Sequence, residues 1–111
     1  MSLISWDDFE KIDIRTGTVL EAKDFPGAKK PAYRLLIDFG PAGIKKSSAQ
    51  ITAHYRPEEL VGRQVVAVIN FPKKQIANFQ SDCLVLGVYD GNQDVVLLKP
   101  DKQTPDGAKI G

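Results

Sequence analysis

Glycine and proline interrupt this chain so often that only short helices and strands can form between them. The 111 residues include nine glycines and seven prolines. Turn pairs such as Pro26-Gly27 and Gly40-Pro41 separate apolar runs of about five residues. Short apolar runs between turn residues are typical of an all-β sandwich or barrel. The chain has the length of one domain and contains no repeat or linker, so we predict a single domain over residues 1–111.

The spacing of apolar residues predicts the strands. From Tyr33 to Phe39 a large apolar residue recurs at every second position, as in a strand with one buried face. Continuous apolar runs at residues 65–69 and 84–88 predict fully buried strands. Five main strands suit a closed barrel of the oligonucleotide/oligosaccharide-binding (OB) type better than a sandwich, which needs more strands. The other predicted strands cover residues 16–23, 44–51 and 95–98, with a short strand or a turn at 75–79.

Two short helices accompany these strands. Ser5 can cap a helix whose first turn carries Asp7 and Asp8, where carboxylates stabilise the helix dipole. This helix, within residues 1–12, is too short to be stable alone, so we expect it to pack on the barrel or on a partner subunit. Pro57 stands at the start of a predicted one-turn helix. Gly17, in the first strand, predicts a bend or a close approach of another segment.

Basic side chains are concentrated in the middle of the chain. The formal net charge is only +1, yet residues 25–81 contain nine basic and three acidic residues. If the fold gathers these cations on one face, that face would attract polyanions or acidic peptides. A solvated surface without a partner explains the same charges. The predicted third strand, residues 44–51, is also polar, which is typical of a protected edge strand or of a binding surface.

The sequence offers little for catalysis, so we predict a protein without enzymatic activity and without a cofactor. It contains one histidine, His54, and one cysteine, Cys83, and Cys83 begins an apolar run where a thiol is usually a small apolar group. No spacing of histidine and cysteine predicts a metal site, and no phosphate-binding glycine motif is present. No apolar run approaches the ~20 residues of a membrane helix, and the start does not resemble a signal peptide. Together with the single cysteine, this predicts a cytoplasmic protein.

Residues suited to recognition are more abundant. Aromatic side chains, hydroxyls and amides with lysines at the rim suit a peptide groove, and cations beside aromatic rings suit single-stranded nucleic acid equally well. The sequence pattern does not separate the two ligands, although an isoelectric point near 7.8 is low for a dedicated RNA-binding domain. The candidate peptide-binding residues are Tyr33, Ser47, Ser48, Gln50, Asn70 and Phe71. The candidate RNA-binding residues are Lys29, Lys30, Arg34, Lys45, Lys46, Lys73, Lys74 and Ser81.

Two motifs carry a resemblance to a known family. Residues 13–19, Asp-Ile-Arg-Thr-Gly-Thr-Val, resemble the opening motif of the tRNA-binding domain found in free-standing tRNA-binding proteins, EMAP II-like cytokines and some aminoacyl-tRNA synthetases. Residues 55–62, Tyr-Arg-Pro-Glu-Glu-Leu-Val-Gly, and the run at 65–70 resemble a second motif of that domain. The resemblance extends from about residue 9 to residue 110. It implies the same five-stranded OB barrel.

Further residues resemble the CsaA subfamily of export chaperones. They are the stretch from Phe25 to Tyr33, the run Lys-Ser-Ser-Ala-Gln-Ile-Thr at 46–52, and Asn-Phe-Pro at 70–72. This resemblance implies a homodimer without catalytic activity that binds unfolded preproteins and the export ATPase. The tRNA binders carry a serine, an acid, a glycine and a methionine where this chain has Ser81, Asp82, Cys83 and Leu84, so two of those four are replaced. The sequence therefore favours a CsaA-like chaperone, with structure-specific tRNA or RNA binding as the alternative.

Overall fold

A computed structural model describes residues 1–111 and contains a five-stranded antiparallel sheet that curls into a nearly closed barrel. The strand order in the sheet is β3-β2-β1-β4-β7, and two hairpins, β5-β6 and β8-β9, extend it. The predicted OB-type barrel is thereby confirmed. The elements are α1 (Trp6–Glu10), β1 (Ile14–Asp24), β2 (Tyr33–Asp38), β3 (Ile44–Ala49), α2 (Pro57–Leu60), β4 (Gln64–Val68), β5 (Lys74–Ile76), β6 (Phe79–Ser81), β7 (Leu84–Val85), β8 (Gly87–Tyr89) and β9 (Val95–Leu97), with a 3-10 turn at Gly40–Ala42.

The long first strand holds the barrel together because it pairs with β4 along its first half and with β2 along its second. A break in the β1-β2 register between Val19 and Glu21 bends β1 from one neighbour to the other. Gly17 is the close-approach point that the sequence predicts. A Cβ atom on Gly17 would lie 2.7 Å from ring carbons of Phe39, so only glycine leaves room for that ring.

The barrel interior is filled by the alternating residues of β2. Leu35, Ile37 and Phe39 are fully buried and pack with Val19, Val65 and the helix residue Leu60. The C-terminal segment is fixed to the barrel by backbone hydrogen bonds to β1, from Thr16 N–H to the Ala108 carbonyl (3.0 Å) and from Ile110 N–H to the Ile14 carbonyl (2.9 Å).

Three of the sequence-based expectations about strands need correction. The run at 84–88 is not one fully buried strand. It changes pairing partners around Leu86, which separates β7 from β8, and Leu84 and Val88 are 48% and 52% exposed. In the predicted core strand at 95–98 only Leu97 is buried. A continuous apolar run predicts burial of both faces, but here Leu84 and Val88 are exposed to solvent. Residues 74–81 form a hairpin rather than a single strand or turn.

The N-terminal helix is capped as predicted but has no buried residue. The Ser5 hydroxyl accepts the Asp8 backbone N–H (3.1 Å), and the Asp8 carboxylate accepts the Ser5 N–H (3.1 Å), which completes a capping box. Trp6 nevertheless remains 83% exposed. In the single chain, therefore, this helix buries Phe9 only in part and leaves Trp6 in solvent. None of the helices is both long and apolar enough to cross a membrane.

Candidate peptide-binding groove

A groove of about 860 Å³ lies between the end of β3 and the strand that runs from β7 into β8. One wall is formed by residues 48–53 and the other by residues 83–87, while Phe71, Pro72 and Ile76 close one end. The wall at 83–87 carries only apolar side chains, whereas the wall at 48–53 alternates apolar residues with the hydroxyl and amide groups of Ser48, Gln50 and Thr52. Such a groove can take up apolar side chains and hydrogen-bond the chain that carries them.

Hydrogen bonds between β3 and residues 81–83 mark where the barrel closes and where the groove begins. The Asp82 N–H donates to the Lys46 carbonyl (2.7 Å), and the Lys46 N–H donates to the Asp82 carboxylate (3.1 Å). The buried Ser47 hydroxyl donates to the Cys83 carbonyl (3.0 Å). Beyond this point no hydrogen bond joins residues 49–53 to residues 84–89, and the groove occupies that gap.

Three of the six candidate peptide-binding residues line the groove, namely Ser48, Gln50 and Phe71. Phe71 is 55% exposed, so its ring is available to a ligand. Of the candidate RNA-binding residues, Lys30, Lys74 and Ser81 line the same groove.

The other three candidate peptide-binding residues have structural contacts elsewhere. Tyr33 is buried, and its hydroxyl donates to the Tyr55 carbonyl (2.7 Å). Ser47 is 1% exposed because it pairs with Leu35 on the inner face of the barrel. The Asn70 amide donates to the Lys11 carbonyl (2.7 Å), and its oxygen accepts the Asp13 N–H (3.0 Å), so this side chain fixes the segment after α1.

A second, smaller cavity of about 160 Å³ lies on the outer face of the barrel and collects other basic residues. It is lined by Arg34, Lys46 and Phe79 together with Lys23 and Glu21. The Lys46 ammonium lies 5.4 Å from the centre of the Phe79 ring, as a cation–π pair. This cavity combines cations with an aromatic face, which is the chemistry that binds a phosphate and a base.

The remaining candidate RNA-binding lysines do not join either cavity. Lys73 approaches the Asp82 carboxylate at 3.9 Å. Lys29 is exposed in the loop between β1 and β2, and Lys45 is half-buried on β3. Within the candidate set, therefore, two lysines line the groove, Arg34 and Lys46 line the smaller cavity, and three lysines line neither.

Several groove residues were not identified from the sequence. They include Ile51, Ile76, Leu84, Leu86 and Tyr89. Four of them are aliphatic, and two of the five, Leu84 and Leu86, belong to the apolar run that was interpreted as a buried strand. The sequence feature that could have revealed them is the apolar run at 84–88, because such a run can also line a binding groove instead of the core.

Cys83 forms part of the groove wall but is not an activated nucleophile. Burial raises the pKa of its thiol to about 11, although the hydrogen bond with Ser47 opposes this shift. The thiol is therefore protonated at neutral pH, and the reactive thiolate is scarce. This agrees with the expectation that Cys83 acts as a small apolar side chain.

His54, Asp90 and Asp94 form a cluster beside the groove that offers metal ligands. The His54 Nε2 atom lies 2.6 Å from the Asp90 carboxylate, and one ligand atom from each residue lies within 4.8 Å of the others. Backbone N–H donation from Asp94 lowers the pKa of Asp90, with smaller contributions from His54 and Asn92. The contact between His54 and Asp90 connects the segment before α2 to the β8-β9 hairpin.

Solved structures of CsaA chaperones are similar to this chain over its whole length. The CsaA chaperone of Bacillus anthracis is 51% identical, with a TM-score of 0.93 over 99% of this chain and 100% of its own. The CsaA chaperone of Picrophilus torridus is 53% identical, with a TM-score of 0.91 over 98% of this chain and 100% of its own.

Methionine–tRNA ligases contain a similar segment. The enzyme of Methanothrix thermoacetophila is 44% identical over 108 residues, which are 97% of this chain but 16% of the enzyme. The chain thus spans about a sixth of the length of such relatives, and the similarity concerns one part of a larger enzyme. The model of the putative tRNA binding domain matches residues 14–109. The chain therefore belongs to the tRNA-binding-domain family.

Proposed function

We propose that this protein is a non-enzymatic, CsaA-like chaperone that holds unfolded preprotein segments in the groove between β3 and β7. The observation that carries the proposal is an open groove of about 860 Å³ with apolar walls and a polar rim. It occurs in a chain that is similar to CsaA chaperones from end to end. Holding an unfolded segment requires exposed apolar surface and no chemical step.

We further propose that the protein is a homodimer. Leu3, Ile4 and Trp6 are 95%, 72% and 83% exposed, and Val88 and Tyr89 of β8 are 52% and 72% exposed. Apolar side chains exposed to this extent commonly mark an interface, and homodimers are the commonest soluble oligomers. A partner subunit would give α1 the apolar contacts that it lacks in the single chain. Light scattering coupled to size exclusion tests this assembly.

The proposed partners are unfolded preproteins and the export ATPase, and the proposed location is the cytoplasm. Similarity to CsaA chaperones supports these partners. A buried, unpaired Cys83 is compatible with a reducing compartment.

Fluorescence anisotropy with a labelled signal-peptide-like segment and a labelled tRNA, each at low and physiological salt, tests the chaperone proposal. We expect peptide binding with little salt dependence and weak tRNA binding at physiological salt. Phe71→Ala removes an exposed groove ring and should weaken peptide binding about tenfold. Val61→Ala is the matched control, because Val61 is 53% exposed outside the groove. Absence of peptide binding would refute the proposal.

The second candidate function is tRNA binding, which the family match and the outer-face cavity support. Arg34 and Lys46 flank Phe79 there and could neutralise phosphates. If tRNA is the ligand, affinity will fall steeply with salt. Arg34→Ala and Lys46→Ala should then each reduce the salt slope by about 1 without changing peptide binding.

A further inference from the structure

The backbone edge of β3 that is not paired with β2 is occupied at Lys46 but becomes free at Gln50, beside the groove. Lys46 N–H donates to Asp82 and Ser48 N–H donates to Ser81 Oγ (3.3 Å), so these alternate residues direct their backbone groups away from β2. Gln50 continues the same alternation. Its N–H and carbonyl make no hydrogen bond within the chain, although the residue lines the groove.

The opposite wall also offers unpaired backbone. Leu86 N–H donates to the Val66 carbonyl (2.8 Å), and the Leu86 carbonyl accepts the Leu98 N–H (3.2 Å). Both bonds are made on the side of β4 and β9. Because neighbouring residues of a strand direct their backbone groups to opposite sides, those of Val85 are directed towards the groove. Two strand edges therefore border the groove, and neither is paired with the other.

We propose that the groove binds its ligand as an extended polypeptide strand that hydrogen-bonds to the free backbone groups at the end of β3, namely the Ser48 carbonyl and the N–H and carbonyl of Gln50. This inference rests on the proposed peptide-binding function and specifies how the peptide is recognised. An unpaired strand edge is complementary to another extended backbone, and addition of a strand to such an edge is a known mode of peptide recognition. An RNA strand has no alternating N–H and carbonyl groups that would match this edge.

The arrangement of side chains fits the same ligand. Successive side chains of an extended peptide point in opposite directions, so every second one would contact Phe71, Leu84 and Leu86 and the others would face solvent. Lys30 and Lys74, which also line the groove, place charge beside the free edge. Charge next to an edge opposes pairing between two copies of the same edge. Recognition of the backbone would allow many sequences to bind, provided that they contain no proline at the paired positions.

N-methylation of the peptide tests this inference directly. A signal-peptide-like segment is synthesised as a series in which one backbone amide at a time is methylated, and each member competes with the unmodified labelled peptide. We expect a loss of about fivefold or more at alternate positions within the bound stretch and less than twofold between them, since each methyl removes one hydrogen-bond donor. Equal effects at all positions, or none, with normal binding of the unmodified peptide would overturn the strand-pairing inference and leave the chaperone proposal standing. If the unmodified peptide does not bind, both the strand-pairing inference and the chaperone proposal are refuted.

A pair of variants tests the same point from the side of the protein. Gln50→Pro removes the Gln50 N–H, which has no partner within the chain, whereas Gln50→Ala keeps it and removes only the side chain. We expect Gln50→Pro to weaken peptide binding at least fivefold and Gln50→Ala to weaken it less than twofold, with similar urea unfolding midpoints for both. An equal loss in the two variants would assign the contact to the side-chain amide and would overturn the inference.

Discussion

The contact between Gly17 and Phe39 predicts that Gly17→Ala destabilises the protein. The new Cβ would lie 2.7 Å from two ring carbons of Phe39 and 2.8 Å from Cγ2 of Ile37, and both of these side chains are fully buried. Overpacking of this kind costs about 1–3 kcal/mol. The lower backbone entropy of alanine in the unfolded chain offsets about 0.5–1 kcal/mol of that cost. We therefore expect the free energy of unfolding to fall by about 1–2 kcal/mol and the melting temperature to fall by roughly 5–10 °C.

Urea denaturation followed by circular dichroism measures this change. Gly91→Ala is the matched control, because a Cβ on Gly91 meets no atom within 4 Å. The control should differ from the original protein by less than about 0.5 kcal/mol. A Gly17→Ala variant as stable as Gly91→Ala would refute the reasoning, since it would mean that the Phe39 ring moves aside without loss.

Three further predictions concern buried and paired groups. Ser47→Ala removes one hydrogen bond to the Cys83 carbonyl, but this carbonyl still accepts a hydrogen bond from the Ser81 hydroxyl. We therefore expect the free energy of unfolding to fall by only about 1 kcal/mol and the peptide affinity to stay unchanged. Burial raises the pKa of Cys83 to about 11, so its alkylation by iodoacetamide near pH ~8 should be at least about a hundredfold slower than that of a free cysteine. Unfolding the chain in urea should remove this difference. Fast alkylation of the folded protein would contradict the prediction. Because the pKa of Asp90 is lowered in the folded state, its ionised form adds stability at neutral pH that disappears as the pH falls through the folded pKa. Asp90→Asn should therefore be less stable than the original protein near pH ~7, and the difference should shrink as the pH falls through the folded pKa of Asp90; a difference that does not shrink in acid would refute this assignment.

Local patterns were sufficient to predict much of the fold. The alternation from Tyr33 to Phe39 predicted β2 and its buried face, and the capping box at Ser5 requires only residues that lie three apart in sequence. Gly17 was correctly identified as a close-approach point, although the sequence did not say which residue approaches it. The family motifs extended these local predictions to the OB barrel.

The candidate site was predicted only in part, because its residues come from distant segments. Ser48 and Gln50 line the groove, but Ser47 lies inside the barrel because it pairs with Leu35. Asn70 is engaged with the segment that follows α1. An alternating pattern says that adjacent residues occupy opposite faces, and it does not say which face borders a cavity.

By itself the sequence determined the first strands of the barrel, the capped helix, the absence of a catalytic motif and the family. Each depends on neighbours along the chain or on a continuous motif. Only the tertiary structure decided that Leu84 and Val88 of the apolar run are exposed and that some basic residues line two cavities while others line neither. It also decided that the backbone of Gln50 has no partner. The physical reason is that strand register and barrel closure determine which groups meet, and both depend on pairing between residues that are far apart in sequence.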